Sequence, residues 1–376
     1  MLSRTTSVLA LSLRRGSALV ASGGVAMMSL AAPKKEDTNL RVVSYNVLSS
    51  GLCEPSYYVK SAAEDLAPET RLERVTKYLE LETYQESVIC LQEVSRDWAG
   101  PLQVFFAKRN YHFAASLYGH QHNNYMGVAM AWPSTMEVQA IEHRRVAEGF
   151  DYVAPKGNGG DYDSSSDLAS RLWLALFPPP PKPFDVWGEA ARRHNVVLMA
   201  RFRDFAVATY HMPCLFGSVE KEQVMILHAA KTAELVQKFA DGKPFVFAGD
   251  FNIKPQDEAY AMLTDGAFAK PEYCPPNFDV ASCPRLVSAY AKASAGEPEL
   301  TNFAFTKFST EPFVDTLDYI FLSGGSDHWA VDDVKQTPSK AHLDLQNSSF
   351  PDRTQPSDHV PIAADLRLLS SSLPPS

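Results

Sequence analysis

Apolar and polar positions alternate along this chain with two periods, one of two residues and one near 3.6, and the switches between them lay out an order of strands and helices. Residues 41–48 read Arg-Val-Val-Ser-Tyr-Asn-Val-Leu, β-branched and aromatic enough to predict a buried strand with a polar residue near its C-terminal end. Pro68-Glu69-Thr70 then opens a helix in which Leu72, Val75, Leu79 and Leu81 recur at helical spacing, with acidic residues in the first turn. Residues 88–91 form the next apolar strand, which ends in Gln92-Glu93. Strand, helix and strand with polar residues at both strand ends is the arrangement in which α/β folds place chemistry.

The pattern predicts further strands at 111–115 and 126–132. Between 142 and 195 it breaks into an irregular insertion holding a glycine cluster at 157–160, an acidic stretch at 161–167 and a proline run at 178–181. A loop of that length is either functional or mobile. Regularity returns with strands at 195–202 and 205–210, a helix from about 220 to 240 and a strand at 245–248. A helix near 256–263 follows, then strands at 317–323 and 360–366 and a polar tail from 369, with no internal repeat.

Composition agrees with a globular protein, at 45% hydrophobic and 21% charged residues over 376 positions. The first 36 residues stand apart. Arg4, Arg14, Arg15, Lys34 and Lys35 occur among many Ser and Ala, with no acid before Glu36. That is the makeup of a cleaved mitochondrial presequence, with a secretory signal or an unaddressed cytoplasmic N-terminus as alternatives. No stretch reaches the roughly 20 apolar residues of a membrane-spanning helix. The whole chain carries −9 and its first 35 residues +5, leaving −14 on the rest. So acidic a body argues against long duplex nucleic acid, whose phosphates need many Lys and Arg contacts. Arg144, Arg145, Arg192, Arg193 and His194 flank the insertion and are candidates for a local anion-attracting rim, or else a solvated charged loop. The five cysteines read as reduced thiols, with Cys274 and Cys283 able to pair in an oxidising compartment.

Five short segments put carboxylates or amides at strand ends. In Gly249-Asp250-Phe251-Asn252, period-two spacing points Asp250 and Asn252 to one side if the strand continues; the alternative is a tight turn in which both bond their own backbone. Glu93 ends an apolar strand and needs a cation or donors to offset its desolvation, unless it is a solvent-facing neighbour of the helix cap Ser95. Oxygen ligands of this kind suit Mg²⁺ or Mn²⁺. Asp358-His359 offers one group able to coordinate metal and one able to hold a proton near neutral pH, and Asp318 in Leu317-Asp318-Tyr319 could orient that imidazole. Asn46 could position a water or the metal itself. His211, in Tyr210-His211-Met212-Pro213, could donate to a phosphoryl oxygen or be a satisfied buried histidine.

This ordered set resembles the endonuclease/exonuclease/phosphatase superfamily, which includes pancreatic-type deoxyribonucleases, abasic-site endonucleases, inositol polyphosphate 5-phosphatases, neutral sphingomyelinases, nocturnin and carbon catabolite repressor type deadenylases. Pro298-Glu299-Leu300-Thr301-Asn302-Phe303, followed by Thr316-Leu317-Asp318-Tyr319-Ile320-Phe321, is most similar to the deadenylase and nocturnin branch. The resemblance covers residues 40 to 368 in motif order, outside the 142–195 insertion, and so implies one catalytic domain over 37–368. It implies a four-layer α/β sandwich, two mixed β-sheets face to face with helices outside. It also implies a Mg²⁺-dependent phosphoester hydrolase, with Mn²⁺ as a substitute. Glu93 would ligate the metal, with Asn46 and Asp358 completing or supporting the site. Asp250 would align or deprotonate the attacking water, Asn252 would hold the scissile phosphate, and His359 buttressed by Asp318 would stabilise its developing charge.

Two departures bear on the substrate. Relatives show Thr-His directly, whereas Tyr210 lies between Thr209 and His211 here, so either Tyr210 or His211 points at the phosphate. The usual tryptophan after that histidine is replaced by Pro213-Cys214-Leu215-Phe216, which weakens the case for adenosine stacking. Substrate contacts are therefore expected from Asn252, His211, Tyr210 and Asn302, in a monomer acting on an RNA 3′ end or a small nucleotide phosphate. A phosphoinositide or phospholipid head group is the alternative substrate. A non-catalytic nucleotide- or RNA-binding module is the rival from another class; such proteins usually lose an acid, and here Glu93, Asp250, Asp318, Asp358 and His359 are all present.

Overall fold

The computed structural model describes residues 37–152, 183–294, 296–324, 328–345 and 347–369. The N-terminal segment, the glycine, acidic and proline clusters of the insertion and the tail beyond Leu369 lie outside these residues. In chain order the elements begin with β1 (Thr38–Asn46), α1 (Ala63–Leu66), α2 (Pro68–Tyr84), β2 (Val88–Val94) and α3 (Arg96–Ala107). Next come β3 (Tyr111–Leu117), β4 (Gly127–Pro133), β5 (Val138–Arg145), α4 (Val186–Arg192), β6 (Val196–Phe202) and β7 (Ala206–His211). The remainder holds α5 (Val219–Ala240), β8 (Phe245–Asp250), α6 (Glu258–Asp265), β9 (Leu286–Ser288), α7 (Ala289–Ser294), β10 (Asn302–Ala304) and β11 (Phe313–Asp315). β12 (Asp318–Ser323), β13 (Trp329–Val334) and β14 (Ile362–Leu368) complete it.

Two six-stranded mixed sheets result, in the orders β13-β14-β1-β2-β4-β3 and β5-β6-β7-β8-β12-β9, with β10-β11 as a separate ribbon. Period-two alternation assigns each strand two faces. One face of each sheet meets the other sheet: Leu40, Val42, Val88, Cys90 and Met130 from the first pack with Val207, Val246, Ala248 and Ile320 from the second. The opposite face of the first sheet, through Val43, Tyr45, Ile89 and Leu91, is covered by Val75 and Leu79 of α2 and Trp98 and Leu102 of α3. That of the second, through Ala208, Tyr210 and Phe247, is covered by α5 and α6. The expected four-layer sandwich is therefore the fold.

Local chemistry sets the element ends. Pro68 starts α2 at a position where its missing N–H costs no helical hydrogen bond. Ser218 caps α5 by accepting from the Lys221 amide, and Asp241 closes it in the left-handed region at φ 55°. Among the described residues no helix is long and apolar enough to cross a membrane.

Several sequence expectations are corrected. Leu81 is not part of the buried stripe of α2; it is 60% exposed, because the helix meets the sheet through Val75 and Leu79 instead. The insertion is shorter than 142–195, since β5 runs in register with β6 through Arg145 and α4 packs under α5. The pattern missed β5 because the half-buried face of this edge strand carries Val138, Ala140 and Glu142 while Ile141 is exposed, missed β9 to β11 because three residues carry no detectable period, and also missed β13. The five cysteines, by contrast, are free thiols as expected, Cys274 and Cys283 among them.

Within the α5 layer, His228 is fully buried: the Tyr210 hydroxyl donates to Nδ1 at 2.9 Å and Nε2–H donates to the Ala190 carbonyl at 3.0 Å. Burial pushes its pKa down to about 4, with Arg193 adding and the Ala190 contact opposing. The unfolded chain takes up a proton near 6.5 that the folded state refuses, so this stabilisation is present above pH 6.5 and is lost as pH falls toward 4. Wild type is expected to lose about 3 kcal/mol more than His228→Gln between pH 7 and pH 4, measured by urea unfolding.

Candidate active site

The inner face of the sandwich is apolar over most of its length and turns polar at one end. Along β1 the inner series runs Leu40, Val42, Ser44, Asn46; along β7 it runs Val207, Thr209, His211; along β8 it runs Val246, Ala248, Asp250. β12 runs antiparallel to β8 and brings its first residue, Asp318, opposite Asp250. A polar layer crosses between the sheets at this end, where the Gln92 amide donates to Ser44 Oγ at 3.2 Å and Thr209 Oγ1 at 2.9 Å.

One step further out lies the cluster itself. The Asn46 amide nitrogen donates to Glu93 Oε1 at 3.2 Å on its own sheet and to Asp250 Oδ2 at 2.9 Å on the facing sheet. Its carbonyl oxygen accepts the Leu48 amide at 3.0 Å, which fixes the orientation of the side chain. Asn46 therefore ties two carboxylates together at the centre of the cluster.

Glu93 reaches the cluster through a break in alternation. Ile89 and Leu91 face the helices, so an uninterrupted β2 would carry Glu93 to that side too. Instead Leu91 pairs with Ala129 and Val94 with Gly127, leaving Gln92 and Glu93 opposite the single residue Val128. Glu93 is the extra residue of this bulge and has φ 59°, the left-handed region that costs a non-glycine residue about 1 kcal/mol. Its Oε2 accepts the Ser49 amide at 3.0 Å. The Ser95 reading fails: Ser95 occupies the cap position of α3, but its hydroxyl donates to Asp97, and Glu93 is buried.

His359 and Asp318 form a buried pair, with Nδ1–H donating to Asp318 Oδ2 at 2.7 Å and Nε2 lying 3.6 Å from Asp250 Oδ2. Burial works against a charged imidazole here, but the carboxylates of Asp318 and Asp250 outweigh it and hold the His359 pKa well above its ordinary value. His211 lies between two acids, its Nε2 3.6 Å from Asp250 Oδ2 and 3.9 Å from Glu93 Oε1. β8 stops at Asp250, and Asn252 turns at φ 51° with its amide N–H bonded to Asp250 Oδ1 at 2.9 Å. The tight-turn reading of this segment and the functional one thus coexist, since Asn252 still faces the cavity.

A cavity of 670 Å³ opens over these groups, and Glu93, His211, Asp250, Asn252, Asp358 and His359 all line it, with Asn302 bridged to His359 at its edge. Tyr210 does not: its ring lies on the helix side of β7, against His228. Since Val207 and Thr209 face the other sheet, His211 must follow them and Tyr210 must not, so the ambiguity was resolvable from alternation alone. The arginine rim is also not formed. Arg144 pairs with Glu142, Arg192 and Arg193 pair with Glu189, and Arg145 donates to the Arg193 carbonyl. Sequence reasoning missed Tyr58, a loop residue whose hydroxyl donates to Asp358 Oδ2 at 2.9 Å; its surroundings carry no periodic signal.

The donor set fits a hard divalent cation. Lys307 is the one lysine or arginine among the described residues of the cavity wall, against the carboxylates of Glu54, Glu93, Asp250 and Asp358. Asp250, Asp318 and His359 present ligand atoms within 4.8 Å of one another.

A model of the endonuclease/exonuclease/phosphatase family matches residues 43–359. Among curated proteins, 2′,5′-phosphodiesterase 12 of Bos taurus is 29% identical over 130 residues, which is 34% of this chain and 20% of that protein. The CCR4-Not complex 3′-5′-exoribonuclease subunit Ccr4 of Phaeosphaeria nodorum is 25% identical over 386 aligned positions, covering 86% of this chain and 58% of the relative. The chain thus spans only part of the length of either. Among solved structures, that of ANGEL2, a 2′,3′-cyclic phosphatase, in complex with adenosine-2′,3′-vanadate matches with a TM-score of 0.63 at 19% identity, over 88% of this chain and 96% of that one. The human Nocturnin catalytic domain with bound sulfate matches at 0.53 and 17% identity, over 88% and 95%. These structural likenesses are of fold.

The bulge geometry makes a prediction opposite to that for an ordinary strand. Glu93→Gly is expected to be more stable than Glu93→Ala by about 1 kcal/mol in urea unfolding, because only glycine occupies φ 59° without strain.

Proposed function

Because the chain belongs to the endonuclease/exonuclease/phosphatase family, we propose that it hydrolyses phosphoesters of ribonucleotides at this cavity with the help of Mg²⁺ or Mn²⁺. The observation that carries the reading is the single buried cluster at the polar end of the inner face, where Glu93, Asp250, the His359–Asp318 pair and His211 converge on one cavity. Glu93 and Asp358 would hold the cation. Asp250, Asp318 and His359 form a tighter group, but the 2.7 Å bond between the last two already commits them to one another. When bound, a divalent cation offsets phosphate charge and polarises the phosphoryl oxygen.

The chain's own residues then divide the remaining work. Asp250, fixed by Asn46 and by the Asn252 amide, accepts the proton of the attacking water. His359 gives its Nδ1–H to Asp318, and the carboxylates of Asp318 and Asp250 favour the imidazolium form, whose Nε2–H would donate to the phosphoryl oxygen as its charge grows. Asn252 gives one amide hydrogen to the Met212 carbonyl at 3.0 Å and retains a second for the phosphate. His211 donates from Nε2, on the same inner face.

Size and charge favour a small nucleotide or a short single-stranded end as substrate. A 670 Å³ cavity with one lysine in its wall holds one or two nucleotides, and the absence of an arginine rim among the described residues removes the support for extended backbone contacts. The names of the relatives, a 2′,5′-phosphodiesterase, a 3′-5′-exoribonuclease and a 2′,3′-cyclic phosphatase, share ribose phosphates as their chemistry. The basic N-terminal segment leads us to propose a mitochondrial location.

Purified protein should cleave at least one of poly(A), 2′,5′-linked oligoadenylate, adenosine 2′,3′-cyclic phosphate or NADP(H), stop on chelation with EDTA and resume with Mg²⁺ or Mn²⁺. Glu93→Ala and His359→Ala should each lower the rate by about 10²- to 10⁴-fold. Hydrolysis that survives chelation, or turnover confined to phosphoinositides, would overturn the reading. In the same assay His211→Ala should slow turnover at least about 100-fold, while Tyr210→Phe should leave kcat within a factor of about two, since its ring faces away from the cavity.

A further inference from the structure

The loop between β1 and α1 delivers one side chain that the mechanism above does not use. Tyr58 is 3% exposed and packs among Leu48, Cys53, Leu66 and Ala304. Its position is set from two sides, by the bridge pairing of Tyr58 with Thr306 and by the Lys307 amide donating to the Tyr57 carbonyl at 2.9 Å. From there the hydroxyl reaches the cavity and donates to Asp358 Oδ2 at 2.9 Å. The other oxygen of Asp358 has only a long contact, 3.5 Å, from Ser357 Oγ.

We infer that Tyr58 is a positioning residue for Asp358, holding one carboxylate oxygen so that the other is turned toward a divalent cation. The inference rests on the placing of Asp358 beside the cation. A phenol has a single proton to give, so it engages one oxygen and leaves the second without competition. A bond to a carboxylate is stronger than one between neutral groups, and a buried ring limits the motion of its hydroxyl. Backbone contacts hold the acceptor as firmly as the donor: the Phe303 amide donates to the Asp358 carbonyl at 2.8 Å and the His359 amide to Ser357 Oγ at 3.2 Å. Partners of this kind around a ligating group typically change metal affinity by about 10- to 100-fold when removed.

The test uses the full chain and reads Mn²⁺ binding by calorimetry in the absence of substrate, beside urea stability and steady-state kinetics. Tyr58→Phe should bind Mn²⁺ about 10- to 100-fold more weakly with little change in urea midpoint, and excess Mn²⁺ should restore most of its turnover. Tyr58→Met, which also removes the ring, should lower the urea midpoint yet weaken Mn²⁺ binding by the same factor as Tyr58→Phe. On an Asp358→Asn background, Tyr58→Phe should have no further effect on Mn²⁺ affinity. If Asp358→Asn weakens Mn²⁺ binding but Tyr58→Phe does not, the role of Tyr58 is overturned and the placing of Asp358 stands. If neither substitution changes Mn²⁺ affinity, both are overturned.

Discussion

Asn46 joins the two sheets at the end where they would otherwise be least able to pack. Its amide nitrogen bonds Glu93 on one sheet and Asp250 on the other. Two like charges about 4 Å apart repel by about 4 kcal/mol at an effective dielectric of 20, so a donor between the carboxylates is what lets both sit on a shared inner face. The remaining site groups are arranged around that contact. Asp250 lies opposite Asp318 across the β8–β12 ladder, Asp318 holds His359, and His211 fills the space between Asp250 and Glu93.

The polar end is graded rather than abrupt. Below the Asn46 contact, Gln92 bonds Ser44 on its own sheet and Thr209 on the facing one, satisfying the next layer of inner-face polar groups. Below that the face is aliphatic. Buried polar groups are tolerated when each finds a partner, and here one partner of Gln92, Thr209, and one of Asn46, Asp250, come from the opposite sheet, so bonds that satisfy the groups also register the two sheets.

The loops that complete the site are tied by backbone contacts rather than by regular structure. Arg71 of α2, 0% exposed, donates to the carbonyls of Val47 and Leu48 just after Asn46 and to the carbonyl of Pro356 just before Ser357-Asp358. One guanidinium therefore spans the two segments that carry Asn46 and Asp358. Its five donors in a rigid fork suit several carbonyls at once in a way a lysine cannot match. The strain at Glu93 has a similar origin: the bulge is held because its partner strand and its two hydrogen bonds over-determine it.

Much of this was legible in the chain. Period-two alternation and the apolar runs gave most of the central strands, the helices that cover them and the polar strand ends, and parity along β7 already separates Tyr210 from His211. These are local properties, set by which face a residue's Cβ points to. What the sequence could not decide is where alternation is broken or where no period exists. The bulge that turns Glu93 from the helix side to the cavity depends on pairing with β4. Asn46 meets Asp250 across the two sheets, and Tyr58 meets Asp358 across 300 positions of chain. Each of these is a contact between segments that do not neighbour one another along a strand or helix, and only the packed tertiary structure brings such atoms within bonding distance.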